Sequence, residues 1–279
     1  MSKPSAEPFF LDARPGQRFC LFHAPHAGTQ SRGSIIYVHP FGEEMNRSRR
    51  MAALQARAFA AAGFGVLQID LFGCGDSSGE FGDARWELWK EDLALAWKWL
   101  DERAAGPISL WGLRLGALLA LDFARDALHA VDRLILWQPV VSGNAFLTQF
   151  LRTRVASDML AGKEGTSNGT QGMRDVLNAG ATLDIAGYEL APPLAARIDG
   201  LAITGLLVAN TPVHWFEVVA EPDRPLPPAI VRASADWQRL GVDCHVHRIA
   251  GAPFWATQEI TEAPALLTAT IGVFTEVVS

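Results

Sequence analysis

The sequence predicts an α/β protein with a mostly parallel, twisted sheet, helices on both faces and an insertion near its middle. Two observations carry this prediction. Short, nearly all-apolar runs such as Leu134–Trp137 are typical of strands that are buried on both faces. Segments of helical composition alternate with these runs, which indicates parallel strands joined by crossover helices.

The elements follow in order along the chain. Residues 18–24 and the segment before them predict an antiparallel hairpin at the start. The predicted strands that follow are residues 34–39, 65–70, 108–111, Leu134–Trp137, Val213–Val219 and 244–249. The predicted helices are residues 47–62, with Gly63 as C-terminal cap, residues 85–103, a helix after residues 112–116 that runs to about 124, and residues 226–240 and 262–278.

Residues 139–205 interrupt this alternation, because they contain no convincing short buried strand and residues 161–182 are polar and glycine-rich. Within them, Phe146, Leu147, Phe150 and Leu151 recur on one helical face, which predicts a lid helix packed over the sheet edge. A docking surface for a membrane partner or a lipid tail is the alternative. We expect a core formed by residues 1–138 and 206–279, with a lid insertion at 139–205.

Composition excludes several classes of protein. The chain has 279 residues, 49 % of them hydrophobic, and a net charge of −6, which argues against a general nucleic-acid or anionic-membrane binder. Three scattered cysteines do not predict a disulfide framework or a zinc site. No run approaches the roughly 18 apolar residues of a membrane span, and the N-terminal residues lack the apolar core of a secretory signal. We therefore expect a cytoplasmic protein without metal or cofactor.

A Gly-x-x-x-Gly turn at residues 112–116 joins a predicted strand directly to a predicted helix. This is the setting of a nucleophile elbow, in which the flanking glycines permit close approach and the central side chain stands at the carboxyl edge of the sheet. The central residue here is Arg114.

Three stretches resemble the α/β-hydrolase superfamily: VHPFG at 38–42, in the position of the oxyanion loop, DLFGCGDS at 70–77, and the elbow GLRLG. More narrowly, HPFGEEMNRSRRM and WGLRLGALLAL resemble the hydrolase 2 group associated with the exosortase A system. That group is linked by gene context to exopolysaccharide production and PEP-CTERM protein sorting. The resemblance implies an α/β-hydrolase fold and a hydrolase acting on an ester-like or related bond.

The triad that the resemblance implies is incomplete. Arg114 occupies the nucleophile position, and a guanidinium stays protonated and does not attack a carbonyl. Residues 249–255, where the family has its histidine, contain none, and Pro253 stands in its place. Only the acid has a match, Asp223, with Glu221 as its rival, so Asp223 is the one candidate catalytic residue. A Ser-His-Asp mechanism is not expected.

Arg114 has two interpretations that do not exclude each other. The helix N-terminus and the N–H groups of Leu115 and Phe41, the donors of an oxyanion hole, would join the guanidinium in binding an anionic or acyl-type ligand. Alternatively, Arg114 pairs with a protein carboxylate, because an unpaired buried charge is costly. The candidate carboxylates are Glu43, Glu44 and Asp223.

Weaker candidates surround this site. His39 stands where the resemblance implies an orienting histidine, and a Cys74–His39 pair is conceivable, although a small buried cysteine is the simpler interpretation of Cys74. His245 and His247 share a strand face but have no third metal ligand in view.

Charged and aromatic clusters complete the candidates. Beside Glu43 and Glu44, an ion-pair network is the simplest interpretation of three neighbouring arginines, Arg47, Arg49 and Arg50. Four tryptophans at or near strand ends are candidates for the pocket wall, namely Trp111, Trp137, Trp215 and Trp255, whereas those in the segment 85–103 are assigned to the core.

Two functional hypotheses remain. One is an enzyme in which Asp223, Glu43 or Glu44 activates water while Arg114 positions an anionic substrate. The other, which the residues favour, is a non-catalytic binding protein or a partner of a polysaccharide or protein-export system. What Arg114 contacts, and whether its pocket holds water, should distinguish them.

Overall fold

A single eight-stranded sheet organises the fold in the computed structural model, which describes residues 6–104, 106–127, 130–160, 169–221 and 223–275. Its strands are β1 (Ala6–Asp12), β2 (Gln17–His23), β3 (Gly33–Val38), β4 (Phe64–Ile69), β5 (Ile108–Leu113), β6 (Leu134–Trp137), β9 (Val213–Val219) and β10 (Cys244–Ala250). The order across the sheet is β1-β2-β4-β3-β5-β6-β9-β10. The strand β2 is antiparallel to both β1 and β4 and the other five neighbouring pairs are parallel, so the predicted hairpin and mostly parallel sheet are confirmed.

Helices cover both faces of this sheet, as predicted. They are α1 (Glu43–Ala61), α2 (Trp86–Asp101), α3 (Leu115–Asp126), α4 (Gly143–Leu160), α5 (Gly169–Asn178), α6 (Pro192–Asp199), α7 (Pro228–Arg239) and α8 (Pro264–Thr275). The apolar faces of α1 and α8 pack on one side of the sheet, whereas α2, α3 and α7 pack on the other. The central strand β3 is buried along its whole length, which explains why its sequence is almost entirely apolar.

The segment between β6 and β9 contains α4, α5, a small hairpin of β7 (Leu183–Ile185) and β8 (Tyr188–Leu190), and α6. Leu147 and Leu151 of α4 are buried, in line with the apolar face seen in the sequence. The hairpin and α5 were not predicted, because strands of three residues are too short to show an alternating pattern.

One buried carboxylate fixes this insertion to the core. Asp122 of α3 is fully buried and accepts hydrogen bonds from Arg197 of α6 at 2.9 Å and from the indole of Trp86 at 2.8 Å. Lys90 of α2 adds a charge at 3.5 Å. A buried charge is stable only with such partners, so Asp122 holds α6 against α2 and α3. No helix within the described ranges is long and apolar enough to cross a membrane.

Candidate functional site

The turn between β5 and α3 has the geometry of an elbow. Its apex, Arg114, has φ 55° and ψ −118°, a backbone conformation that residues other than glycine rarely adopt. A Cβ atom on Gly116 would lie 2.4 Å from the carbonyl oxygens of Val38 and His39, and one on Gly112 would lie 2.5 Å from the Cα of Ala117. Both glycines are therefore required by the close approach of backbone on either side of the turn.

The Arg114 side chain is held by groups from three other parts of the chain. Its Nε donates to Oε1 of Glu44 at 3.2 Å, and Nη1 donates to the carbonyl oxygen of Gln138 at 3.5 Å. The indole ring of Trp255 lies under the guanidinium, with its centroid 5.6 Å from Cζ. A guanidinium has five N–H donors, and within the described part of the chain only two of these are engaged. The outer edge of the group, with 22 % of the side chain exposed, remains available.

Glu44 is the internal partner of Arg114 among the three carboxylates considered. It lies in the first turn of α1, where a negative charge interacts favourably with the helix dipole. Burial raises the pKa of the Glu44 carboxyl, and the charge and hydrogen bond of Arg114 oppose that rise. Its second oxygen, Oε2, is buried and has no hydrogen-bond partner among the described residues. Glu44 thus depends on Arg114 to remain ionised.

A second carboxylate near Arg114, Glu217, was missed by the sequence analysis. It lies within β9 and is only 3 % exposed. The indole N–H of Trp215 donates to its Oε2 at 3.1 Å, and the side-chain amide of Gln138 donates to its Oε1 at 2.5 Å. Burial raises the pKa of Glu217 to about 6, while these two hydrogen bonds and the charge of Arg114 lower it. A lone acidic residue inside an apolar strand was the only available signal.

Gln138 connects these groups. It follows β6 with a positive φ of 43°, and its carbonyl oxygen accepts from Arg114 while its side chain bonds to both Glu217 and the N–H of Val218. The elbow arginine and the buried glutamate are therefore linked through a single residue.

His39 links two loops rather than serving as a base. The N–H of Leu71 donates to its Nε2 at 3.2 Å, so the proton must lie on Nδ1, which donates to the carbonyl oxygen of Pro40 at 2.8 Å. Burial lowers the pKa of His39, which keeps the ring neutral. Both ring nitrogens are engaged, and burial raises the pKa of the Cys74 thiol, so the geometry does not support a Cys74–His39 nucleophile.

The space beside the elbow is nearly filled. A cavity of about 10 Å³ lies between Phe41, Cys74, Leu115, Leu119 and the tryptophans of α2. That volume holds about one water molecule. Beside it lies an aromatic cluster in which the Phe41 ring packs edge-on against four others, Phe81 at 5.1 Å, Trp89 at 6.2 Å, Phe146 at 5.7 Å and Phe150 at 5.0 Å. Two of these rings come from α4, so the insertion packs against Phe41, one of the residues that line the cavity.

Among the described residues, the other two candidate carboxylates form no ion pair with Arg114. Glu43 is exposed and accepts hydrogen bonds from Asn46 and from the hydroxyl of Tyr188, each at 3.1 Å. Asp223 is exposed in the turn after β9. In the turn after β10 the residue that contacts Arg114 is Trp255, whereas the sequence analysis had placed Pro253 at the histidine position.

The tryptophan assignments need correction. Trp111, Trp137 and Trp215 are buried in the core and do not line the cavity at the elbow. That cavity is lined instead by Trp86 and Trp89, which also belong to the buried core, as the sequence predicted. The error arose because proximity to a strand end does not say which face of the sheet a side chain occupies.

Three further histidines form a stack away from the elbow. The rings of His214, His245 and His247 lie side by side near the start of β9 and β10, and Nδ1 of His214 lies 3.1 Å from Nε2 of His247. Burial and the two neighbouring histidines lower the pKa of His214 to about 4. Across the described ranges, no group of three or more histidine, cysteine or acidic side chains is arranged to hold a metal ion.

The arginines near the start of α1 each have a protein partner. Arg47 donates to the carbonyl oxygen of Ala256 at 2.8 Å, Arg50 pairs with Glu262, and Nη2 of Arg49 lies 3.5 Å from Asp70. These contacts agree with an ion-pair network.

Comparisons with known proteins identify the family. The human protein ABHD12B is 26 % identical over an alignment of 157 positions, which covers 49 % of this chain and 42 % of that protein, so the chain spans less than half of this relative. The esterase Est1E from Butyrivibrio proteoclasticus, solved with ferulic acid, superposes with a TM-score of 0.68 at 17 % identity, over 95 % of this chain and 97 % of that one. A monoglyceride lipase from Saccharomyces cerevisiae superposes with a TM-score of 0.63, also at 17 % identity, over 96 % and 93 % of the two chains. Residues 29–169, about half of the chain, match the family model described as serine aminopeptidase, S33. The chain therefore belongs to the serine aminopeptidase S33 family of α/β-hydrolases.

Proposed function

We propose that this protein is a pseudo-hydrolase, which binds a small anionic or acyl-type ligand at the elbow and does not cleave it by the Ser-His-acid mechanism. The observation that carries the proposal is Arg114 at the apex of the elbow, paired with Glu44. A permanently charged guanidinium in place of a nucleophile removes covalent catalysis and adds a fixed positive charge.

The surroundings of Arg114 support the loss of hydrolysis. Both ring nitrogens of His39, the histidine of the oxyanion loop, are bonded to backbone groups. In the turn after β10, where the resemblance implies a catalytic histidine, Trp255 lies against the guanidinium instead. The cavity beside Phe41 and Leu115 has room for about one water molecule, and not for an acyl chain. An ester therefore has no place to bind productively between Phe41 and Leu115.

The same surroundings support anion binding. Glu44 engages only Nε of the guanidinium and Gln138 accepts from Nη1, which leaves Nη2 and one N–H of Nη1 for a carboxylate or phosphate. The N-terminus of α3 begins at Leu115, so the helix dipole adds to the attraction. A bound anion would share Arg114 with Glu44 and would shift part of the positive charge away from that carboxylate.

An active hydrolase is the alternative, and one observation favours it. Glu44 and Glu217, both close to Arg114, have raised pKa values. Raised carboxyl pKa values beside a fixed charge are typical of general acids and bases. In that case one glutamate would activate water while Arg114 holds an anionic substrate, and Asp223, exposed after β9, would take no part.

The resemblance of residues 39–51 and 111–121 to the exosortase A system-associated group supports a biological setting. We place the protein beside a polysaccharide or protein-export system, with a protein of that system as partner. Deletion of the gene should then reduce exopolysaccharide, and unchanged exopolysaccharide and protein sorting would contradict this setting.

Titration with benzoate and with inorganic phosphate, followed by calorimetry, tests anion binding. We expect the wild type to bind at least one of them, with weaker binding at high salt. Arg114→Met should lose at least ten-fold in affinity, whereas Arg50→Met, which removes an arginine of the same helix that pairs with Glu262, should bind as the wild type does. Equal affinities for the wild type and Arg114→Met would contradict the proposal. Turnover of an activated ester that is abolished by Glu44→Gln or Glu217→Gln would establish the alternative.

A further inference from the structure

A second cavity lies on the face of the sheet covered by α1, away from the elbow. Its volume is about 200 Å³, and its apolar walls are Phe19 and Leu21 of β2 together with Met45 and Ala53 of α1. This is below the roughly 300–1,000 Å³ of pockets for drug-sized ligands, so an occupant must be small. Neither Arg114 nor the residues that contact it at the elbow line this space.

The wall of this cavity includes a tyrosine hydroxyl that makes no hydrogen bond within the described ranges. Tyr37 of β3 lines the cavity and is only 5 % exposed as a residue, yet its hydroxyl oxygen is not enclosed by protein. Arg49 and Asp70 line the same cavity. The hydroxyl can therefore donate to or accept from a polar group of a ligand in this space.

Charge balance decides which kind of ligand fits. Arg49 and Asp70 both line the cavity, with Nη2 and Oδ2 3.5 Å apart, and burial keeps the third ionisable lining group, His39, neutral. The site is therefore formally neutral. An anion would lie beside the Asp70 carboxylate and a cation beside the Arg49 guanidinium, and each would meet repulsion as well as attraction. A neutral head group that both donates and accepts hydrogen bonds meets neither.

We propose that this cavity is a second binding site, which takes a small neutral molecule with an apolar body and a carbonyl or carboxamide head group. The Tyr37 hydroxyl donates to the carbonyl oxygen of the ligand, and the Asp70 carboxylate accepts from its N–H or O–H. Phe19, Leu21 and Met45 enclose the apolar body. The site is separate from the elbow, where Arg114 is proposed to bind an anion.

Benzamide and benzoate test this inference as a matched pair, because they have nearly the same shape and differ in charge. Ligand-observed NMR and a soaked crystal of the full chain would report binding and its place. We expect benzamide to bind in the cavity of the wild type. Tyr37→Phe should weaken it about five-fold, which is the effect of one lost hydrogen bond. Ala53→Leu, a substitution at a half-buried helix position with good helix propensity, should fill the cavity and abolish binding.

Arg114→Met separates the two sites, since it should leave benzamide binding unchanged while weakening any binding of benzoate at the elbow. Absence of benzamide binding to the folded wild type would overturn the inference. So would benzamide binding that Ala53→Leu leaves unaltered, or benzamide found only at the elbow. Because the proposed function concerns benzoate and Arg114, either proposal can fail without the other.

Discussion

Replacing Arg114 with methionine should destabilise the protein in a pH-dependent way. The substitution removes the hydrogen bond from Nε to Glu44 at 3.2 Å and the contact with the Trp255 ring. Hydrogen bonds between charged groups contribute about 1.5–3 kcal/mol, and partial exposure of both side chains favours the lower end. With about 0.5 kcal/mol for the aromatic contact, the loss is about 2 kcal/mol at about pH 8. For a domain of this size it lowers the melting temperature by roughly 4–8 °C.

The sign of the pH dependence follows from Glu44. Burial raises its pKa, and Arg114 limits that rise, so the pair stabilises the fold only while Glu44 is ionised. As the pH falls through the raised pKa of Glu44, the cost of Arg114→Met should shrink toward about 0.5 kcal/mol, the aromatic part alone. Methionine keeps the unbranched apolar stem of the side chain, and its cost at a positive φ is close to that of arginine.

Urea unfolding of four proteins measures this coupling: the wild type, Arg114→Met, Glu44→Gln and the double variant. We expect the effects of the two single substitutions to be non-additive by about 1.5 kcal/mol at about pH 8 and additive at about pH 4. An Arg114→Met cost that is the same at both pH values, or additivity throughout, would refute the role assigned to the pair.

Three further predictions concern the rest of the molecule. His214, with a pKa of about 4 against 6.5 for a free histidine, binds its proton less well when folded, so stability should fall as the pH drops from about 6.5 to about 4. In His214→Phe this decrease in the free energy of unfolding should be smaller by about 2 kcal/mol, which urea unfolding at a series of pH values measures. The same pH dependence in the variant and the wild type would contradict the prediction. Glu217 has a pKa of about 6 in the folded protein against 4.5 for a free glutamate, so the stability of the wild type should fall as the pH rises through this range. Glutamine does not ionise. The stability of Glu217→Gln relative to the wild type should therefore increase by about 2 kcal/mol between about pH 4.5 and about pH 8. Phe150→Ala should remove a ring packed 5.0 Å from Phe41, lower stability by about 1–2 kcal/mol and increase binding of an apolar dye, whereas Phe10→Ala, at an exposed position, should do neither.

Much of the sheet could be predicted from the sequence. β6 and β9 begin and end as expected, because buried parallel strands are marked by continuous apolar runs between polar turns. The elbow was also recognisable, because Gly112 and Gly116 are required locally by backbone contacts that no larger residue permits. The hairpin of β7 and β8 was not, since each strand has only three residues and is ordered by packing against distant parts of the chain.

The candidate site was predictable in its chemistry and not in its pairing. The arginine at the elbow and its need for a carboxylate followed from the sequence, yet choosing Glu44 over Glu43 or Asp223 required the direction of each side chain at the start of α1 and after β9. Contacts of Arg114 with residues 138 and 255 join segments that are far apart in the chain, and no local pattern encodes them.

Intact mass after treatment with a broad fluorophosphonate probe, with Arg114→Ser treated in parallel, shows whether the elbow holds a working nucleophile. We expect no adduct on the wild type, because the elbow presents a guanidinium, Cys74 is buried and both nitrogens of His39 are bonded to backbone. We also expect no adduct on Arg114→Ser, because no histidine lies in the turn after β10 to activate the new serine. A single adduct on the wild type, mapped to one residue, would reveal a working nucleophile and contradict the assignment as a pseudo-hydrolase.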